Sequence, residues 1–368
     1  MNVVREAVDD SRSTPSQWRT DFRFRIGTTG LVWAATAVLL VAYVALFPNA
    51  VSFGSIATLT PLIGVLVVAA LGQALVISTG GIDLSVSSII TLVAVTVVYV
   101  SEGSNDRLAI ACLVGLGVGV IVGFINGLLI ELLHLSAMVV TLATAQVGLG
   151  IATILYSRGV NRQPAPSTLH DLTSGQLSGF SFVLIAAVVV VAVIGFLMAG
   201  SVLGRRLTAA SVSREAARYQ GIRVRLLRSA SYMAAALLYG ACGIALVGIF
   251  GTPTVALGAQ YQLSAIAAVV LGGMALTGGK LRPAATLAGA IFLAVSNQAV
   301  ATTGQPVGAQ NIAQGVILIA AVLIVTVSPL RSWRDRRNAK KGKPDAQQHD
   351  SSSPAHGRRT AAATISTP

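Results

Sequence analysis

Residues 61–100 read PLIGVLVVAALGQALVISTGGIDLSVSSIITLVAVTVVYV, and this stretch decides the class of fold. It holds one charged residue, Asp83, which closely follows the glycine pair at 80–81. Uncharged apolar runs at 56–78 and 84–101 lie on either side of the pair, and a helix of about 20 apolar residues crosses the hydrocarbon core of a bilayer. The stretch therefore predicts two membrane spans joined by a glycine turn.

The same pattern extends along the whole chain. Apolar residues make up 54% of the sequence and charged residues 11%, whereas soluble domains carry about 25% charged residues. Of the 26 basic and 13 acidic side chains, 29 lie at 1–29, 201–228 and 329–368. A charge at the bilayer centre costs at least ~2.5 kcal/mol, so a membrane-embedded chain keeps its charges in tails and loops. We predict an all-α polytopic membrane protein with about ten spans, some of them broken or short, near 30–47, 56–78, 84–101, 109–130, 137–157, 181–200, 229–250, 262–277, 284–300 and 311–328.

The basic residues orient these spans. With an even number of spans and both termini in the cytoplasm, 23 of the 26 basic residues fall on the inner side. The three that fall outside are Arg107, Arg158 and Arg162. This distribution obeys the positive-inside rule, so cytoplasmic N- and C-termini are predicted.

The domain organisation follows from this topology. We expect a basic cytoplasmic tail at 1–29, a transmembrane domain at 30–328 with a large cytoplasmic loop at 201–228, and a basic, disordered cytoplasmic tail at 329–368. Topology and attraction to anionic membrane lipid explain the charge of both tails. No nucleic-acid partner is expected.

A glycine stripe marks the fourth span. Gly115, Gly119, Gly123 and Gly127 recur every four residues and so share one helix face. Small residues at this spacing allow the backbones of two membrane helices to come into contact. The stripe predicts a tightly packed helix pair.

Two glycine-interrupted connections mark candidate helix breaks. Thr79 precedes Gly80 and Gly81 between the second and third spans, and Thr277 precedes Gly278 and Gly279 between the eighth and ninth. Paired breaks of this kind are typical of transport paths, although three matching residues leave an internal duplication open. Asp83 follows the first break, and its carboxylate is expected to accept N–H bonds from the start of the third span.

The chain lacks the residue patterns of an energy-coupling or catalytic centre. Its nearest approach to a phosphate-binding loop, MALTGGKL at 274–281, has methionine and leucine where glycine and a hydroxyl residue are required. No zinc or thiol motif is present, so no metal, cofactor or enzymatic activity is expected. The span interiors hold no acidic residue or histidine, which disfavours an ion-coupled carrier without excluding one, since backbone carbonyls alone can bind sodium.

Several collinear segments then resemble one family. The most specific is GQALVISTGGIDLSVS at 72–87, and the others are GFING (123–127), VTL (140–142), EAARYQGIRV (215–224), AIAAVVLGG (265–273) and TGG (277–279). They resemble the permease subunits of ATP-binding-cassette importers for monosaccharides of the ribose, xylose, arabinose and galactose type. The resemblance covers about residues 30 to 328, and it departs at Ser87, where the family usually has glycine.

This resemblance implies a complex in the cell membrane. Two permease copies, expected to be identical, would pair across the membrane, with a cytoplasmic ABC ATPase below and an extracytoplasmic solute-binding protein outside. The path for a neutral, hydroxyl-rich sugar is expected to be lined by amides and hydroxyls, and our candidates are Asn126, Thr141, Thr144, Gln146, Asn297 and Gln298. A permease for a nucleoside or a branched-chain amino acid, an ion-coupled carrier and a membrane enzyme remain alternatives.

A short helix is predicted at 213–221 within the cytoplasmic loop. Ser213 can cap its start, Glu215 lies in its first turn, Ala216 and Ala217 favour helix, and Gly221 can end it. The alanine pair would present a smooth surface, with Arg214 and Arg218 free to pair with acids at its rim. The resemblance of the Glu215–Arg218 segment to the family's ATPase-contacting loop implies docking there, so Ala217→Glu is expected to block docking without affecting folding.

Overall fold

The computed structural model describes residues 28–48 and 52–306, together with Gly308, Ala309, Ile312, Gly315, Val316 and Ile319. Within this part the chain is almost entirely helical, with a single two-stranded antiparallel hairpin, β1 (Gln176–Leu177) and β2 (Phe180–Ser181). The helices are α1 (Thr28–Leu46), α2 (Phe53–Ser78), α3 (Val86–Ser101), α4 (Leu108–Leu132), α5 (Ala137–Ser157), α6 (Ser167–Ser174), α7 (Phe182–Gly200), α8 (Val202–Val212), α9 (Arg214–Tyr219), α10 (Val224–Phe250), α11 (Ala259–Leu271) and α12 (Pro283–Thr302).

The described helices confirm an all-α polytopic membrane protein. Seven of them, α1, α2, α4, α5, α7, α10 and α12, are long and apolar enough to cross a bilayer, and α3 and α11 are shorter apolar helices. The nine runs predicted between residues 30 and 300 therefore each correspond to one helix. The tenth run, 311–328, and the tails at 1–27 and 329–368 lie largely or wholly outside the described residues.

The eighth predicted span differs in its bounds, and the predictions omitted α6, the hairpin and α8. The predicted span 262–277 corresponds to α11, which begins at Ala259 and ends at Leu271, and the second glycine motif lies between α11 and α12. The stretch between α5 and α7 contains α6 and the hairpin, and the 201–228 loop contains α8 and α9. Polar capping residues such as Ser201 and Ser213 start these short helices, and hydropathy does not detect them.

Helix α2 forms the centre of the molecule. The apolar part of α2 is 89% buried within the protein, whereas that of α7 is 11% buried. Val67, Ala69 and Leu71 of α2 are fully buried. Helices α7, α10, α11 and α12 pack around it. A helix that is apolar on every side is covered either by protein or by lipid, and for α2 the cover is protein.

The glycine stripe of α4 faces α3 and α10. A Cβ atom on Gly115 would lie 2.9 Å from the Val97 side chain of α3, and one on Gly127 would lie 2.7 Å from the Ser229 Cα of α10. Between them, a Cβ on Gly123 would lie 2.7 Å from the carbonyl oxygen of Tyr232. Any side chain here would separate helices whose backbones are in contact.

The first glycine pair ends α2 with a left-handed turn. Gly80 has φ +75°, its N–H donates to the carbonyl of Ile77 (2.8 Å), and the N–H of Gly81 donates to that of Val76 (3.2 Å). This is the Schellman arrangement, which requires a residue with positive φ and therefore favours glycine. The chain then turns back beside α2 and begins α3 only at Val86.

Candidate functional site

A polar-lined cavity opens where α3, α5 and α11 approach one another. Its volume is about 410 Å³, within the range of ~300–1,000 Å³ typical of small-molecule sites. Its polar lining consists of Ser87, Ser88, Thr91, Gln146, Thr153 and Gln262. The other described residues that line it are alanine, leucine and valine, so none of the described lining carries a charge.

Hydrogen bonds fix the wall between α3 and the start of α11. The Ser87 hydroxyl donates to Oε1 of Gln262 (2.9 Å), and the Gly258 N–H donates to Oγ1 of Thr91 (3.0 Å). Gly258 lies directly against the carbonyl of Ser87, with no room for a Cβ atom. The two segments therefore form one continuous wall whose polar groups hold each other in place.

The sequence-predicted path residues divide into three groups. Gln146 lines the cavity. Asn126 and Thr144 lie behind the wall: Asn126 donates to the Ser85 hydroxyl (3.0 Å) and accepts from Thr144 (2.6 Å). Thr141 is also buried, and its Oγ1 accepts the Leu84 N–H (3.0 Å). Asn126 and Thr141 bond to the segment that leads into α3, and Thr144 bonds to Asn126, so the polar groups of all three are already occupied.

The remaining two candidates, Asn297 and Gln298, lie on α12 and do not line this cavity. Helix α12 packs against α1, α2 and α11 rather than against α5. Sequence reasoning missed Ser87, Thr91 and Gln262. Two sequence features could have indicated these lining residues: the hydroxyl residues at the start of the short third span, and the amides Gln260 and Gln262 at or just before the start of the eighth.

Buried polar groups hold the break between α2 and α3. Oδ1 of Asp83 accepts from the N–H (2.8 Å) and the hydroxyl (2.5 Å) of Ser85, and Asp83 is fully buried. With its amide oriented to satisfy both partners, Gln73 of α2 donates to the Asp83 carbonyl (3.1 Å) and accepts from the Asp83 N–H (3.2 Å). The Gln73 side chain thus satisfies both backbone groups of Asp83, its N–H and its carbonyl, in the way that the backbone of a neighbouring β-strand would.

The predicted short helix of the 201–228 loop is present as α9. The Ser213 hydroxyl accepts the Ala216 N–H (3.3 Å), and Gly221 ends the helix with φ +76°. The Gly221 N–H donates to the carbonyl of Arg218 (2.9 Å), and the Ile222 N–H donates to the carbonyl of Ala217 (3.0 Å). These two bonds form a second Schellman motif.

The surface of α9 differs from the expectation in two respects. Ala216 is exposed, but Ala217 is only 2% exposed because it packs against Ala210 and Val224. Arg214 is not free: its Nη2 donates to the carbonyl of Thr79 (3.0 Å). Partial burial, followed by the nearby charge of Arg228, lowers the pKa of Arg214 from its usual value.

A groove of about 700 Å³ lies beside α9. Its rim contains Arg205, Ser213, Ala216, Gln220 and Lys280. Nearby, Arg228 forms an ion pair with Glu131 at the end of α4. The groove is therefore bordered by cations and by the exposed side of α9.

Sequence comparison shows which family has this architecture. Residues 55–325 match the family described as "Branched-chain amino acid transport system / permease component". The match spans most of the chain and includes both glycine breaks, the cavity and α9. The chain belongs to this permease family. The permease is a multi-pass protein of the cell membrane and a transport component of the ATP-binding-cassette class.

Several relatives align over most of the permease. The probable ABC transporter permease protein y4mJ of Sinorhizobium fredii is 32% identical over 332 residues, 89% of this chain and 99% of the relative. The fructose import permease protein FruF of Bifidobacterium longum is 30% identical over 71% of this chain and 73% of the relative. The galactofuranose transporter permease protein YtfT of Escherichia coli is 27% identical over 73% and 79%. No solved structure matches the permease significantly.

Proposed function

We propose that this permease imports a monosaccharide or a similar neutral polyol through the cavity between α3, α5 and α11. The observation that carries the proposal is the cavity lining, which combines hydroxyl and amide groups with short apolar side chains and, among the described lining residues, no charge. Sugar hydroxyls both donate and accept hydrogen bonds, as do serine, threonine and glutamine side chains.

The same lining argues against an amino acid as the solute and against ion coupling. An amino acid brings an ammonium and a carboxylate group, and an uncharged cavity would leave both without a partner of opposite charge. An ion-coupled carrier needs a titratable or ion-binding group at its site, and no described carboxylate lines the cavity. The relatives named for fructose and galactofuranose transport support a sugar as the solute.

The proposal includes a separate ATPase and a solute-binding protein. The permease would have no ATP site of its own, and the ATPase would dock on the exposed side of α9, where Ser213, Ala216 and Gln220 border the groove. Glu215 and Arg218 are exposed on the same helix. ATP binding and hydrolysis would then shift the permease between inward- and outward-facing conformations. A second, identical copy and membrane lipid would cover the remaining apolar surface.

Uptake assays on cavity variants test this function. The purified complex is reconstituted in liposomes with its binding protein and given a panel of labelled monosaccharides, leucine and a nucleoside. We expect uptake of one sugar, reduced at least tenfold in Gln146→Ala and in Gln262→Ala, because each removes an amide from the lining.

Gln298→Ala is the matched control, since it removes an amide from a span outside the cavity. Its uptake is expected to equal that of the wild type. Transport of leucine but of no sugar, or normal uptake by both cavity variants, would refute the proposal.

A further inference from the structure

The end of α2 accepts hydrogen bonds from two distant segments. The carbonyl of Ser78 accepts from the N–H of Gly279 (3.4 Å), and that of Thr79 accepts from Nη2 of Arg214 (3.0 Å). The last carbonyls of a helix have no partner within the helix and carry the negative end of its dipole. A cation from α9 and a backbone amide from the second glycine break therefore complete the end of α2.

Three segments meet at Gly80. A Cβ atom at this position would lie 2.7 Å from Nη2 of Arg214 and 3.1 Å from the carbonyl oxygen of Thr277, and Gly278 lies against the Gly80 backbone in the same way. Gly80 itself has φ +75°. The positive φ of Gly80 and the close approach of Arg214 and Thr277 both favour glycine at this position. Because α9 and the two breaks are in contact here, none of the three segments can move without displacing the others.

Each break leads to one side of the cavity. The first runs from Gly80 into α3, whose Ser87 lines the cavity, and Asn126 and Gln73 hold the connecting residues in place. The second follows α11, whose Gln262 bonds to Ser87. A displacement at Gly80 therefore reaches α3 through the bonded residues that follow the first break, and it reaches α11 through the Ser87–Gln262 hydrogen bond.

We propose that Arg214 couples the ATPase to the cavity by holding α9 against the joined ends of the two glycine breaks. This inference rests on the proposed function, since it assumes that α9 receives the movement of the ATPase. Arg214 is a positioning residue in this scheme: it touches neither the solute nor ATP. When α9 moves, the guanidinium carries the end of α2 and the second break with it.

The chemistry of this contact suits a mechanical link. The guanidinium is a cation with several donors in a fixed plane, so one group can bond the Thr79 carbonyl while it remains in the field of the Glu131–Arg228 pair. A charged donor on a helix-end carbonyl is stronger than a neutral hydrogen bond. Lysine would retain the charge but not the planar set of donors.

Arg214→Gln and Arg223→Gln provide a matched comparison. Both remove one positive charge from the same loop, and both side chains belong to exposed residues, but Arg214 bonds to the end of α2 whereas Arg223 lies at the start of α10, away from that contact. In the reconstituted complex we expect Arg214→Gln to retain the co-purifying ATPase and its ATP hydrolysis, while solute uptake per ATP falls at least tenfold. Arg214→Lys should give an intermediate ratio, and Arg223→Gln a wild-type ratio.

A second measurement does not depend on the transported solute. The variant Ser87→Cys, in a background with Cys112→Ala, is labelled with a maleimide in the nucleotide-free complex and in the vanadate-trapped complex. We expect the labelling rate to change at least fivefold between the two states, and this change to be lost in Arg214→Gln.

The outcomes separate this inference from the proposed function. An unchanged uptake ratio and nucleotide-dependent labelling in Arg214→Gln would overturn the coupling role, as would loss of the ATPase during purification, because that result places Arg214 in the docking surface. Import of a solute other than a sugar, with coupling still lost in Arg214→Gln, would refute only the proposed function. Thermal unfolding of each purified variant identifies misfolded protein. If Arg214→Gln is misfolded, the ratio of solute uptake to ATP hydrolysis in Arg214→Lys decides the outcome.

Discussion

At the scale of single residues, two adjacent alanines have opposite environments. Both line the groove beside α9, but Ala216 is exposed, whereas Ala217 is buried against Ala210 and Val224. The two are equivalent in helix propensity. Only the packing of α9 against α8 and the start of α10 distinguishes a candidate docking residue from a core residue.

We therefore expect Ala216→Glu and Ala217→Glu to differ. Ala216→Glu places a carboxylate in solvent, so the permease should melt like the wild type but lose most of its co-purifying ATPase. Ala217→Glu buries an unpaired charge, at a cost of roughly 3 kcal/mol, and should lower the unfolding temperature. Fluorescence-detected unfolding and pull-down yield check both variants. Wild-type ATPase recovery with Ala216→Glu would remove α9 from the docking surface.

The path residues show how far sequence reasoning reaches at this scale. Gln146 is an isolated polar residue in an apolar span, and it lines the cavity as predicted from that position. Asn126 and Thr144 are also polar residues in apolar spans, but they bond to each other, and Asn126 also bonds to Ser85. Two polar residues on neighbouring spans either line a path or satisfy one another, and only their distance decides which. The sequence does not contain that distance.

At the scale of elements, the four-residue glycine spacing on α4 indicated a contact face, but not its partners. The structure places Gly115 against α3, and Gly123 and Gly127 against α10. By contrast, a Cβ atom added to Gly117 or Gly150 would meet no atom of a neighbouring element within 4 Å in the described part of the chain. Glycine content alone therefore does not identify the contact face of a span; its periodicity does.

Gly123→Leu should destabilise the permease far more than Gly117→Leu. The first forces apart backbones in contact at Tyr232, and overpacking costs about 1–3 kcal/mol. The second adds a side chain where there is open space. Detergent-solubilised protein should show a lower unfolding temperature for Gly123→Leu alone. Equal melting of the two variants would show that the α4–α10 contact is looser than described.

The two Thr-Gly-Gly motifs illustrate the limit of sequence reasoning for elements. They read alike, but Gly80 forms the left-handed end of α2, whereas Gly278 and Gly279 have φ values of +111° and +143° in a connection beyond α11. The residue that ends α11 in the same way is Gly273, with φ +78°. The same three residues therefore adopt different conformations at the two positions. Tertiary packing sets the length of the preceding helix, and that length determines whether the motif lies at the end of the helix or beyond it.

At the scale of the whole molecule, α5 presents polar groups to the outside of the chain. Gln146 and Thr153 line the cavity and are exposed, and so are their apolar neighbours Leu142 and Leu149. Hydrocarbon offers no hydrogen-bond partner to an amide. A face of this kind favours burial against protein, and a second permease copy would supply it.

Disulfide crosslinking tests this arrangement. Leu142→Cys, at the edge of the cavity, should form a covalent dimer in oxidised native membranes when Cys112 is replaced by alanine. Val193→Cys is the control, since Val193 is 51% exposed on the apolar helix α7, which we expect to face lipid. Dimers at Val193 and none at Leu142 would place the copy-to-copy interface on α7 instead.

The pairing of Gln73 with the backbone of Asp83 has a consequence for biogenesis. A ribosome delivers α2 and α3 to the bilayer long before α10, whose Tyr239 also bonds to Gln73 and lies 166 residues further along the chain. During that interval a glutamine near the C-terminal end of α2 has no partner from α10, and hydrocarbon penalises any polar group without a partner. The returning segment after Gly81 supplies that partner from the adjacent sequence. Helices α2 and α3 can thus enter the membrane with the Gln73 amide already paired, before the later helices are synthesised.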